Sequence, residues 1–350
     1  MTKPQKRALV PPQTLQPSQG APMTLADEVN KLASSAANLF PHGLDELTIE
    51  CEPSTGKMNL RLKAPPRNVL SSPATAAPRT NEADIEGTAA FRLKWNIKGH
   101  EVIAVVAEDL LRDQHPQVYE ALRGIYDADP EKELRGSELR EYAAWPDIKK
   151  KDNKFKARTG KWHYIDIPFD GESDEISPLP AAPHVLSAMN EQLAVLKNST
   201  DAEARADALA FVTHFVGDIH QPLHCVELKN DEFPEGDGGG NKFELARGKN
   251  LHSLWDGFIA SNSATIMTSA GKLKEAYPRS LFTARLKAKK VEEWIWETHK
   301  IGRDAYKEIL AEPVEERASD AYREWGRRIS REQAALAAYR LADLLVSVLS

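Results

Sequence analysis

Cysteine is nearly absent: the 350 residues hold two, Cys51 and Cys225. One lies in an N-terminal stretch without tryptophan and the other beside His224, so no disulfide framework is visible. Long apolar runs are absent too. No stretch of eighteen apolar residues occurs, and no membrane span is expected. The start, Met1-Thr2-Lys3-Pro4, is basic but leads into no apolar segment, so no secretory signal is visible. Positive charge is not in excess: 46 Lys and Arg face 52 Asp and Glu, for a net charge of −6 and a pI near 6.0. That balance disfavours a strong non-specific duplex binder, which needs a basic face. It does not disfavour an enzyme whose bound cations attract phosphate. No internal repeat is found.

All seven tryptophans lie at or beyond Trp95, which places a boundary there. Before it, the residues through about Pro22 are polar and rich in Pro and Gln and read as disordered. Thr24 to Phe40 reads as an amphipathic helix, with Leu25, Val29, Leu32, Ala36 and Leu39 on one face. Leu47-Thr48-Ile49-Glu50-Cys51 and Met58-Asn59-Leu60-Arg61-Leu62 alternate around Pro53-Ser54-Thr55-Gly56, a hairpin signal. Residues 1–63 therefore form a small α+β module, 64–94 a linker rich in Pro, Ala, Ser and Thr, and 95–350 the main domain. With 41% hydrophobic residues the chain has ample material for a core.

Four short stretches concentrate imidazoles and carboxylates: Ala144-Trp145-Pro146-Asp147, Trp162-His163-Tyr164-Ile165-Asp166, Thr213 through His224, and Asn250-Leu251-His252-Ser253-Leu254-Trp255-Asp256. His214 and Asp218 are four apart, as are His252 and Asp256, which on a helix puts each pair on one face. Ser199-Thr200-Asp201-Ala202-Glu203 predicts a helix start capped by Thr200, with Glu203 three residues on. Leu209, Phe211, Val212, Phe215, Val216 and Ile219 then surround His214, the pattern of a buried helix, ended by Pro222. A buried carboxylate and imidazole need a strong partner. One His-x-x-x-Asp alone is explained as well by an intrahelical hydrogen bond. Two such pairs, with His224 past a helix end and Asp147 and His163 upstream, point to several metal ions, and such ligands suit zinc with open positions for hydrolysis.

These residues resemble the S1/P1 family of zinc-dependent single-strand nucleases, whose members also act as 3′-nucleotidases. The likeness starts at Trp95-Asn96-Ile97-Lys98-Gly99-His100, similar to the family's mature N-terminus. It runs through the four stretches and Gly239-Gly240-Asn241-Lys242 to Ala338-Tyr339-Arg340-Leu341-Ala342. The resemblance implies a mainly α, phospholipase C/P1 nuclease-like fold over residues 95–350 and three zinc ions. Asp147, His163, His214 and Asp218 would hold one ion. His224, His252 and Asp256 would hold a second, and His100, Asp218 and the Trp95 backbone a third. It also implies hydrolysis of single-stranded DNA or RNA to 5′-phosphate products, with Asp147 orienting the attacking hydroxide. Tyr164 and Asp166 would face a nucleobase. A monomer is expected, and members of the family are usually exported.

The chain departs from that pattern in places. The third zinc of the family takes the free amine of the first Trp, whereas Trp95 follows ninety-four residues. Either the chain is cut before it or that site is altered. Lys150 stands where the family has an Arg: it keeps the charge without the bidentate fork, or it is a solvated member of Lys149-Lys150-Lys151. Asp237-Gly238-Gly239-Gly240-Asn241 reads equally as a phosphate-contacting loop or a glycine turn between short strands. Cys225 reads as a small buried residue before a ligand. His220 is read as structural, and His42, His115, His184 and His299 match no ligand spacing. Two other functions fit the same residues: a zinc-dependent phospholipase C, and a non-catalytic nucleic-acid or partner-binding protein with an incomplete metal site. The N-terminal extension directs export by another route, holds the enzyme as a pro-segment, or marks cytosolic residence.

Overall fold

The computed structural model describes the backbone of residues 46–51 and 58–63, and residues 97–173, 175, 177–245, 249–259 and 265–350 in full. The predicted helix at Thr24–Phe40 and Trp95 lie outside the described residues. The chain divides into two units, 1–87 and 88–350. In the first, β1 (Glu46–Cys51) and β2 (Met58–Lys63) pair antiparallel, Leu47 opposite Leu62 and Ile49 opposite Leu60. This is the hairpin that the alternation predicts.

The second unit is built from helices. They are α1 (Ile97–Gln114), α2 (Pro116–Ala128), α3 (Lys132–Arg135), α4 (Leu139–Lys149), α5 (Asn153–Thr159), α6 (Val185–Asn198), α7 (Ala202–Ile219), α8 (Leu251–Asp256), α9 (Ile266–Ala276), α10 (Val291–Ala311) and α11 (Asp320–Leu349). Its strands are two residues long: β3 (Pro168–Phe169) runs parallel to β4 (Glu227–Leu228), and β5 (Glu244–Leu245) antiparallel to β6 (Lys249–Asn250). The mainly α class expected of this region is what is found. α1 packs on α4, α9 and α11, and α7 on α4 and α6.

α7 is central. Every residue from Ala208 to Ile219 is buried, as the apolar surround of His214 predicts. Its cap differs from the expectation: Asp201, not Thr200, is the N-cap, its Oδ1 accepting from the Ala204 N–H at 2.7 Å. A carboxylate suits a helix N-terminus better than a hydroxyl because it also meets the macrodipole. The helix closes at Ile219, with His220 as C-cap, before Pro222 is reached. A second apolar cluster, with Phe169, Leu223, Phe243, Trp255, Tyr306 and Ile309, lies under the loops after α7. There the Trp255 Nε1–H donates to Tyr322 Oη at 2.9 Å.

Candidate metal centre

Six segments bring the polar residues together. α1 supplies His100, α4 Asp147, the turn Gly160–His163 its last residue, α7 His214 and Asp218, the turn Pro222–His224 its last residue, and α8 His252 and Asp256. Asp218 is the hub. Its Oδ2 lies 2.9 Å from His163 Nδ1 and 3.2 Å from His214 Nε2, its Oδ1 3.2 Å from His224 Nδ1 and 3.5 Å from His100 Nε2. His214 Nε2 also lies 3.7 Å from Asp147 Oδ1. Beside this group, His252 Nε2 is 3.4 Å from Asp256 Oδ2, and His224 Nε2 is 3.8 Å from Asp256 Oδ1.

Many of these separations exceed a good hydrogen bond. They match instead the edge of a tetrahedron, ~3.4 Å when each ligand sits at ~2.0–2.1 Å from one ion. The proton positions argue the same way. His214 Nδ1 lies 2.7 Å from the Ala143 carbonyl, and His252 Nδ1 2.7 Å from that of Gly239. Each carbonyl needs an N–H, so the Nε2 lone pairs are turned toward the carboxylates, the arrangement that orients metal-binding imidazoles. His163 Nε2, His224 Nδ1 and Asp256 Oδ2 are buried without a hydrogen-bond partner, a costly state unless a cation completes it. Among the described residues, three groups have the compactness to hold an ion: His100, His214 and Asp218; Asp147, His163 and His214; His224, His252 and Asp256.

The electrostatics fit a cation. Burial pushes the Asp147 and Asp218 carboxyls up, but His214, with Lys150 beside Asp147, outweighs it and holds both well below the usual range. Burial lowers His100 to about 3, helped by His214, and lowers His163 to about 4, helped by Lys150. Both are thus neutral at neutral pH, the form that can bind a metal. His214 alone is raised: burial opposes its charge, yet Asp218 and Asp147 overcome it. His214 thus holds a proton more tightly than an ordinary imidazole, and metal binding at Nε2 must release any proton held there.

A cavity of about 70 Å³ opens at this cluster, lined by His100, Asp147, His163, Asp218, His224 and His252, with Lys150, Tyr164, Gly160 and Asn241 at its wall. His214 and Asp256 stand behind these. Lys150 Nζ donates to Asp147 Oδ1 at 2.7 Å, so it faces the site rather than solvent. Asp166 is half-buried and is not among the residues lining the cavity; burial and then Glu227 raise its carboxyl to about 7. The Asn241 side chain donates to the Gly238 carbonyl at 2.8 Å. Cys225 is buried, its Sγ against the Ile219 carbonyl. His220 Nδ1 donates to the Val216 carbonyl, and its Nε2 accepts from Arg340 at 3.0 Å. His184 caps α6 by accepting from the Ser187 N–H, and His299 Nδ1 lies 2.9 Å from the Cys225 carbonyl. His42 is outside the described residues.

Sequence reasoning missed the supports. Gln221 is buried, donates through Nε2 to Asp256 Oδ1 at 2.8 Å and accepts from the Leu223 N–H, thereby aiming Asp256. The Asp237–Asn241 turn lies between β4 and β5, but these strands pair with β3 and β6 rather than with each other. The turn holds Gly239 at φ 62°, where its carbonyl meets His252. Gly217 is the third support: a Cβ there would lie 2.5 Å from His100 Nδ1. A glycine inside an otherwise buried helix is the sequence signal for such an approach. Ala favours a helix over Gly by ~1 kcal/mol, but overpacking costs ~1–3 kcal/mol. The His100 ring cannot yield, being stacked on His214 at 3.8 Å. Gly217→Ala is therefore expected to destabilise the protein and to lower its zinc content by about one ion per chain, read by urea melts and elemental analysis. A more stable variant with unchanged zinc would show that His100 is not held there.

A family model described as S1/P1 Nuclease matches residues 95–350. The chain is 32% identical over 201 residues to Endonuclease 1 of Arabidopsis thaliana, covering 53% of this chain and 58% of that protein. It is 27% identical over 169 residues to Nuclease S1 of Aspergillus oryzae (strain ATCC 42149 / RIB 40), covering 46% and 53%. With Nuclease P1 of Penicillium citrinum the figures are 28% over 177 residues, 47% and 58%. The chain thus spans a little over half the length of these curated relatives. With the family match running from Trp95 to the last residue, over the helical unit and every ligand candidate just described, the chain belongs to the S1/P1 nuclease family.

Proposed function

We propose that this protein is a zinc-dependent nuclease that hydrolyses phosphodiester bonds of single-stranded DNA or RNA to 5′-phosphate products and also removes 3′-phosphates from nucleotides. The observation that carries the reading is the convergence of buried, partnerless imidazole and carboxylate atoms on one cavity, at the tetrahedral spacing of zinc ligands. Asp147, His163, His214 and Asp218 would hold one ion, and His224, His252 and Asp256 a second. His100, Asp218 and Trp95 would hold a third. Zinc so held supplies a Lewis acid for a phosphoryl oxygen and brings deprotonation of water toward neutral pH.

The chain's own groups do the rest. Asp147, held ionised, would aim the attacking water at phosphorus, take its proton as the new P–O bond forms, and pass it to the 3′-oxygen released as the P–O3′ bond breaks. Lys150, 2.7 Å from that carboxylate, places a fixed positive charge where the phosphoryl oxygens gain negative charge. The Tyr164 ring at the cavity wall offers a stacking face that any unstacked base can use. Asn241 lies within reach of phosphate oxygens. Asp166, raised by burial, can offer a base either a proton or a lone pair near neutral pH.

Asp147→Ala and His224→Ala are each expected to lower release of acid-soluble 5′-mononucleotides from single-stranded DNA and RNA by ~1,000-fold or more, with the far-ultraviolet circular dichroism spectrum unchanged. Turnover by either variant within tenfold of the parent would sink the assignment. The same assay on a protein whose first residue is Trp95 reads the third site: activity confined to that form identifies residues 1–94 as a pro-segment.

A further inference from the structure

The acidic total conceals one strongly basic segment. Residues 149–161 hold seven lysines and arginines against a single acid, Asp152: a formal +6 in a chain of net −6. The segment joins Asp147 to His163, and Lys150 and Gly160 near its two ends both line the cavity. The segment therefore leaves the cavity wall near one end and returns to it near the other. Within it, α5 is anchored by Phe155 and Thr159, buried one turn apart, with Phe155 stacked on Phe211 at 5.8 Å. The one acid is used on the helix itself: Asp152 Oδ1 accepts from the N–H of Lys154 at 2.8 Å and of Phe155 at 3.3 Å.

Six of the seven cations fall into two sets. Lys149 meets Glu131 at 3.7 Å and Lys150 meets Asp147 at 2.7 Å. Lys154, Lys156, Arg158 and Lys161 are exposed, and they form no ion pair among the described residues; Arg158 lies over the Phe155 ring at 5.6 Å. Lys154 and Arg158 are four apart on one helix face, where like charges cost ~0.2–0.5 kcal/mol. The fold gains nothing by collecting these charges, so an anionic partner is what accounts for them. The exposed face of α5 carries Asn, Ala, Lys and Arg and none of the large apolar side chains by which an interfacial helix enters a bilayer.

We propose that this segment is a phosphate-backbone track: a single strand with its reacting phosphate at the cavity runs out along α5. There Lys154, Lys156, Arg158 and Lys161 bind phosphates of nucleotides beyond the reacting one. The proposal rests on the nuclease reading for the strand's identity, but its test does not need turnover. It also explains how an acidic protein takes up a polyanion: the charge that matters is local, within about one Debye length of the mouth.

The test is fluorescence anisotropy of a labelled oligothymidylate of about 20 nucleotides with the full-length, zinc-supplied protein. Both arms carry Asp147→Asn so that the strand survives. One arm adds Lys154→Gln, Lys156→Gln and Arg158→Gln, all exposed and outside the cavity lining. Each single-strand phosphate contact contributes ~0.7 to the slope of log K against log salt. Loss of three contacts is expected to flatten that slope by ~2 between roughly 50 and 200 mM salt and to weaken binding ~100-fold at 0.1 M. Unchanged affinity and slope overturn the track. So does loss of co-sedimentation with phosphatidylserine vesicles while oligonucleotide binding stays the same, because the segment then serves a lipid surface. Zinc-dependent turnover with Asp147 intact is measured separately and decides the nuclease reading alone.

Discussion

Asp218→Asn is expected to lose zinc from more than one site and to slow hydrolysis of single-stranded substrate by at least ~1,000-fold. One buried carboxylate here faces four imidazoles, those of His100, His163, His214 and His224, at 2.9 to 3.5 Å. An amide of the same shape removes the negative charge and turns one oxygen into a donor aimed at lone pairs. In the zinc-free protein His214 then loses the first of the two carboxylates that raise its proton affinity. Removing one member of a buried ion pair costs ~3–5 kcal/mol when the other stays charged. His214 can shed its proton instead, so the expected cost in stability is nearer ~1–3 kcal/mol.

The pH dependence follows from sign. The Asp218 carboxyl is held well below its ordinary value, with burial opposing and His214 and His163 prevailing. Its contribution is therefore complete above the unfolded value of about 3.9 and is lost as pH falls toward the folded value. The stability deficit of Asp218→Asn should be full at pH 7 and shrink below about pH 4. Elemental analysis, turnover on single-stranded DNA and urea melts at the two pH values read all three effects. Full zinc content with turnover within tenfold of the parent would remove Asp218 from the site.

Chelation should lower the melting temperature by about 15 °C or more. Two ions held ~1,000-fold above their dissociation constants contribute ~4 kcal/mol each, and each kcal/mol moves a domain of this size by ~2–4 °C. The cause is visible in the cluster. Without ions, Asp256 Oδ2 and His252 Nε2 face each other at 3.4 Å with no proton between them once His252 Nδ1–H serves Gly239. Buried ring nitrogens of His163 and His224 also have no partner. Through His224, 3.2 Å from Asp218 and 3.8 Å from Asp256, the cluster ties α7 to α8, so the loss should be felt across the helical unit. Calorimetry with and without chelator, and with zinc restored, measures it. A transition that does not move would mean that no ion is bound in the folded state.

Much of this architecture was legible before any coordinates. The apolar surround of His214 marked α7 as buried, the alternation at 47–51 and 58–62 marked the hairpin, and period-four His/Asp pairs marked the faces of α7 and α8. Local pattern carries such information because helix and strand periodicity are local. The cap of α7 was misplaced by one residue because Thr200 and Asp201 are both capping types, and the final turn decides between them. The family resemblance pairs Asp166 with Tyr164, and residues two apart on extended chain do share a face; Tyr164 nevertheless lines the cavity and Asp166 does not.

The candidate ligands and the segments that bear them follow from residue type, spacing and family resemblance, and they are readable along the chain. Which atoms share an ion, which carbonyl fixes each imidazole, and why residues 149–161 stand at the mouth depend on contacts between residues far apart in sequence. Ala143 reaches His214, Gln221 reaches Asp256, Gly239 reaches His252, and Gly217 makes room for His100. Each is a backbone group, an amide or a missing side chain with no signature of its own. Its role exists only once packing of α1, α4, α7 and α8 sets distances to a few tenths of an ångström, because hydrogen bonds and steric contacts act over that range and no farther.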